Sequence, residues 1–172
     1  MDQLVAIEIA VALLNNALAQ RAAGAERFEV HAYDDGVEVR DDGPGLPVHP
    51  HPRSRRPLIE VILTGPRRGP LNTLAHVTRS CLWLEAKVYR PEGVFRQRCD
   101  FAAPGALQGP DPRDAGDPER GTVIRCAPGQ GDLPELSELA ARLEALVPQG
   151  CEVRLVDHRV KREQRLAGGP RA

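Results

Sequence analysis

What most constrains this chain is that its apolar residues change period along the sequence. Between residues 3 and 22, Leu4, Ile7, Val11, Leu14 and Leu18 recur at three- and four-residue spacing in a segment rich in Ala and Leu, which predicts a helix burying one face. Gly24 ends it. From Arg27 to Tyr33 the spacing becomes two, with Phe28, Val30 and Ala32 alternating against Arg27, Glu29 and His31, and the alternation resumes from Val37 to Arg40 after Asp34-Asp35-Gly36. Strict alternation on both sides of a D-G turn predicts a β-hairpin. A second helix is expected over Leu71 to Leu82 and a second hairpin over Trp83 to Tyr89 and Gly93 to Phe101, with Trp83, Ala86, Val88, Val94, Cys99 and Phe101 as core candidates. A strand over Gly121 to Ala127, an amphipathic helix over Leu133 to Leu146 and a strand over Cys151 to Asp157 complete the order. Helices and hairpins in this mixture predict an α+β two-layer sandwich, a mixed but mostly antiparallel sheet with helices on one face.

The connections are polar and rich in Gly and Pro. Residues 41 to 57 form a loop, followed by the short apolar segment Leu58 to Leu63 and by Gly65-Pro66-Arg67-Arg68-Gly69-Pro70, through which no regular element runs. Residues 103 to 120 read as an exposed connection, and 161 to 172 as a charged, Gly-rich, frayed tail.

Composition removes several functions. A length of 172 residues with 41% hydrophobic and 27% charged residues is that of one globular domain. One Trp, two Tyr and three Phe are too few for a base-stacking platform, and a net charge of -1 gives no global attraction to DNA or to an anionic membrane. Cys81, Cys99, Cys126 and Cys151 are far apart, without a C-x-x-C pair, and suit buried thiols in a reducing cytoplasm. The apolar run Val5 to Leu14 is too short to cross a bilayer, and Asp2 and Glu8 are foreign to an export signal, so a cytoplasmic location without membrane contact is expected.

The most informative stretch is Asp41-Asp42-Gly43-Pro44-Gly45-Leu46-Pro47, directly after a strand. A carboxylate at a strand end can accept a hydrogen bond from an exocyclic amine, and glycines allow the backbone to approach a flat ligand. The pattern suits a purine pocket. His49-Pro50-His51 lacks a third metal ligand and reads as surface. Arg53, Arg55, Arg56, Arg67 and Arg68 place five cations in 16 residues, opposed by Glu60 alone, a candidate contact for phosphate groups of DNA or nucleotide.

The order of elements adds specificity. A helix carrying Asn15-Asn16, a hairpin, the D-D-G-x-G-L-P stretch, Glu60-Val61-Ile62-Leu63-Thr64, a second helix and hairpin, Gly121-Thr122-Val123 and a closing helix and strand resemble the ATPase domain of DNA gyrase B, in the GHKL superfamily. The resemblance covers residues 3 to 160 and implies one such domain over 1 to 160, with a shortened lid at 65 to 70. It further implies that Asp41 receives the adenine amine, that Gly45, Leu46, Pro47 and Ile62 line the base, and that Thr122 supports the pocket. Asn15, or alternatively Asn16, would hold the magnesium ion that accompanies ATP or ADP.

Two departures follow from the same comparison. The family places a glutamate one helical turn before the asparagine as general base, where this chain has Val11 or Ala12, and Glu8 lies two turns from the asparagines. The family's glycine-rich lid is reduced to Gly65 to Pro70, in which two prolines remove N–H donors. The resemblance therefore implies a degenerate ATP-binding domain with weak binding and little or no hydrolysis. The alternative is a non-catalytic interaction or regulatory protein that keeps the fold without nucleotide, with a topoisomerase, another DNA-associated protein or DNA itself as the partner class.

Overall fold

The computed structural model describes residues 4–66 and 73–169. The opening helix is α1 (Ala6–Ala19), continued by a 3-10 turn to Ala23 and closed by Gly24 in the left-handed region, as the sequence predicts. The first hairpin is β1 (Phe28–Tyr33) and β2 (Gly36–Asp41). The apolar segment after the loop forms a helix, α2 (Leu58–Thr64), followed by α3 (Thr73–Arg79). Next come β3 (Cys81–Arg90) and β4 (Gly93–Asp100), then two short strands, β5 (Ala103–Pro104) and β6 (Gln108–Asp111), within the expected connection. The chain continues through β7 (Gly121–Pro128), α4 (Leu136–Glu144), β8 (Glu152–Asp157) and β9 (Arg162–Ala167).

The last strand corrects the expected frayed tail: β9 pairs antiparallel with β8 over six residues, from Glu152↔Ala167 to Asp157↔Arg162. Its sequence is polar because it is an outer strand whose side chains are mostly exposed, and only Leu166 is buried. Of the shortened lid expected at 65 to 70, residues 67–70, including Arg67 and Arg68, lie outside the described residues.

The strands form one sheet in the order β5-β4-β3-β7-β2-β1-β8-β9, with β6 also on β4. Among the described strands the β1–β8 pair alone is parallel; the other strand pairings are antiparallel. This is the predicted two-layer α+β sandwich. Period-two alternation sends Val30, Val39, Leu84, Val88, Ile124, Val153 and Leu155 into the helix layer, where they meet Ile9, Leu13 and Leu14 of α1, Ile59 and Leu63 of α2, and Leu139 and Leu143 of α4 in one core. Phe101, predicted as core, is instead 78% exposed at the turn after β4. All four cysteines are buried and free.

The opposite face is charged. Arg98, Glu85, Arg125 and Glu38 stand opposite one another in register across β4, β3, β7 and β2, a row of alternating sign that ends opposite His31 on β1. Arg40 also pairs with Glu38 at 2.6 Å, and Arg154 with Glu29 at 3.2 Å and Glu163 at 2.7 Å.

Candidate functional site

The site begins where the covered face stops being apolar. Along β2 the helix-facing residues are Val37, Val39 and then Asp41; along β7 they are Cys126, Ile124 and then Thr122, paired in register with Asp41. Alternation alone thus puts a carboxylate and a hydroxyl where each row would otherwise continue with a hydrocarbon.

The loop after β2 is folded onto this pair. Thr122 Oγ1 accepts the Leu46 N–H at 3.1 Å, and Asp41 Oδ1 accepts the Gly43 N–H at 2.9 Å. Gly45 has φ +80°, and a side chain there would meet Val88 Cγ1 at 2.8 Å, so the D-D-G-x-G pattern is a steric requirement of the turn. A Cβ on Gly121, at φ +135°, would run into the Asp41 carbonyl oxygen, so the position has no room for a side chain.

The two adjacent aspartates have opposite electrostatics. Burial pushes Asp41 up to about 6, against a lowering by the Gly43 N–H and with a further upward push from the Asp42 charge. Burial also raises Asp42, but the Arg27 and Glu26 N–H groups and the Arg27 guanidinium overcome it and hold that carboxyl below its ordinary value. Asp42 bonds both N–H groups at 2.7 and 2.9 Å and Arg27 Nε at 3.0 Å, which fastens the chain entering β1 to the chain leaving β2. Asp42 is therefore structural, whereas Asp41 Oδ2 has no partner among the described residues and remains available to a donor.

The other expected residues are placed unequally. Leu46 and Ile62 are half-buried against the common core, and Pro47 is half-buried beside Leu46. Asn15 is exposed. The side of α1 that meets the loop is marked by Gln20, whose Cβ is 3.1 Å from the place of a Cβ on Gly43. At about 100° per residue, Asn16 lies roughly 40° from the direction of Gln20 and Asn15 roughly 140° away. The structure thus brings Asp41, Gly45, Leu46, Pro47 and Thr122 together, sets Ile62 on the adjoining core and turns Asn15 away. Glu8 is exposed, and its Oε2 accepts the Val5 N–H at 3.0 Å, closing the first turn of α1.

Arg90 was not legible as a site residue. At the end of β3 it reaches the Leu46 carbonyl with Nη1 at 3.4 Å, while its Nε is buried without a hydrogen-bond partner among the described residues. Only the fold joins these positions, 44 residues apart.

His51 and Arg56 of the loop have local duties. His51 Nδ1 accepts the N–H groups of Arg53 and Ser54 at 3.3 and 3.2 Å. Arg56 is committed to Glu60 at 2.7 Å and Thr64 at 2.8 Å. Among the described residues no cluster of three or more His, Cys, Asp or Glu is arranged to hold a metal ion, and no helix is long and apolar enough to cross a membrane.

No profile of a known protein family matches the chain. It is 32% identical across 88% of its length to the DNA gyrase B protein of Mycolicibacterium smegmatis, and 29% identical across 54% of its length to that of Thermotoga maritima. It spans 25% and 17% of those proteins, respectively. Its fold matches the topoisomerase IV ATP-binding domain of Francisella tularensis, solved with a small-molecule inhibitor, with TM-score 0.84 and 23% identity over 97% of this chain and 89% of that one. It also matches the 43K ATPase domain of Thermus thermophilus gyrase B, solved with an aminocoumarin, with TM-score 0.79 and 24% identity over 93% of this chain and 45% of that one. Fold and sequence similarity together make this chain a member of the GHKL superfamily, related to the ATPase domain of gyrase B.

Proposed function

We propose that the chain binds the adenine end of ATP or ADP at the end of β2 and hydrolyses nucleotide slowly or not at all. One observation carries this reading: Asp41 is a largely buried carboxylate with one oxygen fixed by Gly43 and the other unpartnered, beside Thr122 and the half-buried Leu46. That free oxygen can accept a hydrogen bond, and an exocyclic amine supplies a donor for it. The structural neighbours are described as ATP-binding and ATPase domains, which supports adenine over another flat amine.

Asp41, Gly45, Leu46, Pro47, Ile62 and Thr122 are the proposed base contacts. For magnesium, which the family uses to bridge the nucleotide phosphates, Asn16 is better directed than the expected Asn15, and a carboxamide oxygen suits that hard ion. Slow hydrolysis rests on α1: one turn before Asn16 stands Ala12, and the Glu8 carboxylate already closes its own helix start. These features also favour a second reading, an interaction or regulatory protein in a topoisomerase or other DNA-associated complex, with exposed Arg53 and Arg55 as its phosphate contacts.

Calorimetric titration with millimolar ADP and Mg-ATP tests both readings. Binding heat from the wild type, lost in Asp41→Asn, is the expected result, and ligand at 100 times its dissociation constant should add about 2.7 kcal/mol of stability. No heat and no thermal shift would leave the interaction reading. Rapid phosphate release abolished by Glu8→Gln would overturn slow hydrolysis and make Glu8 the base.

A further inference from the structure

On the charged face, His31 Nδ1 and His158 Nε2 are 3.0 Å apart, and His31 Nε2 is 2.8 Å from Glu29 Oε2. The two imidazoles are only 17° from parallel with centroids 5.3 Å apart. That spacing, with those nitrogens in contact, fits two nearly coplanar rings meeting edge to edge, as a linear N–H···N bond requires. The Tyr33 ring lies parallel to His158 at 4.4 Å, and the Arg125 guanidinium covers Tyr33 at 4.2 Å. The arrangement ties the turn between β8 and β9 to the centre of β1, assisted by the His158 N–H donating to the Ala32 carbonyl at 2.9 Å.

We propose that Glu29, His31 and His158 form a proton-counting latch that holds the β8–β9 turn while the imidazole pair carries at most one extra proton and releases it when both rings are charged. The hydrogen-bond chain fixes the tautomers. Glu29, ionised and held by Arg154, accepts from His31 Nε2–H, so neutral His31 has only a lone pair at Nδ1 and must accept from His158 Nε2–H. A proton on the outer nitrogen of that ring would keep the same Nε2–H donor and make the bond charge-assisted. A second proton has to enter at His31 Nδ1, where two N–H groups would then face each other.

The surroundings oppose that second proton on balance. Burial dominates and lowers the His31 pKa, and Arg40 on β2 acts in the same direction, against the raising effects of Glu29 on β1 and Glu38 on β2. Arg125 on β7 is paired with Asp35, and Arg154 on β8 bridges Glu29 to Glu163 on β9. Because the folded-state pKa of His31 lies below its unfolded value, its stabilising contribution is complete above about 6.5 and declines as pH falls below it.

Amide hydrogen exchange on the whole chain, with nitrogen NMR of the imidazoles, tests the latch. At pH 7.5, His31 should be protonated at Nε2 and His158 at Nε2. The protection factor of the amide at position 158 should fall between pH 7.5 and 5, because the lowered pKa of His31 ties its neutral form to the closed turn. His158→Phe keeps a flat ring against Tyr33 and should make that protection independent of pH. Asp41→Asn, which removes a group titrating in the same range at the far end of the β1–β2 hairpin, should leave that fall intact. An equal fall in His158→Phe, no fall in the wild type, or a protonated His31 Nδ1 at pH 7.5 would each overturn the proposal.

Discussion

The two faces of the sheet solve opposite problems with neighbouring residues of the same strands. On the covered face, Val39, Leu84 and Ile124 are buried against helices, and the rows end at Asp41, a carboxylate with a free oxygen. On the open face, Glu38, Glu85 and Arg125 stand one residue away along those strands, opposite partners of contrary charge. A carboxylate oxygen without a protein partner is thus found at the end of the apolar rows, among the described residues. Paired charges mark the open face, and Asp41 Oδ2 leaves an unpaired acceptor at the end of the covered one.

The comparison is broken most strongly at β3. Leu84→Ala should cost about 2–5 kcal/mol, because a fully buried side chain leaves a cavity, whereas Glu85→Gln, the next residue on the other face, should stay within about 1 kcal/mol. Denaturant unfolding of both variants measures the contrast, and equal costs would mean that the open face is also a packing surface.

The next effect has the opposite sign. Raised to about 6 in the fold, the Asp41 carboxyl favours the folded state when protonated, below its unfolded value near 3.8, and that contribution is lost as pH rises through 6. Asp41→Asn should therefore stabilise the ligand-free protein by about 2–3 kcal/mol at pH 7.5 and by little at pH 3.5. Thermal unfolding at the two pH values checks it; destabilisation at pH 7.5 would mean that the carboxylate already has its partners.

The smallest effect belongs to the exposed charges. Arg98 holds Asp100 at 2.9 Å and lies 4.8 Å above the Trp83 ring, with both charged side chains about half exposed. Arg98→Ala should cost less than about 1 kcal/mol, and high salt should shrink the difference further. A larger, salt-independent loss in denaturant unfolding would instead assign the stability to stacking on Trp83.

The hairpins, the opening helix and the D-D-G turn are legible in the sequence because each is written in local chemistry. Period two marks β1 and β2, and glycines stand where Gly45 and Gly121 must approach neighbouring groups. Leu58–Thr64 is a mostly apolar run too short to reveal its period, and only packing makes it a helix. Arg162–Arg165 carries no apolar alternation because its strand is exposed on both faces. Asn15 and Asn16 cannot be separated by spacing alone: what distinguishes them is which side of α1 meets Gly43, a fact of the packed structure.

The polar sequence that hid β9 has a consequence for the protein in company. A broad open sheet has two rims, each a template onto which another molecule can add a strand. Here one rim is occupied by the short β5 and β6, and the other is bordered by Arg162, Glu163, Gln164 and Arg165, a run of exposed, mostly charged side chains. Strand addition there would have to desolvate those charges, so the final strand acts as a guard against edge-to-edge aggregation.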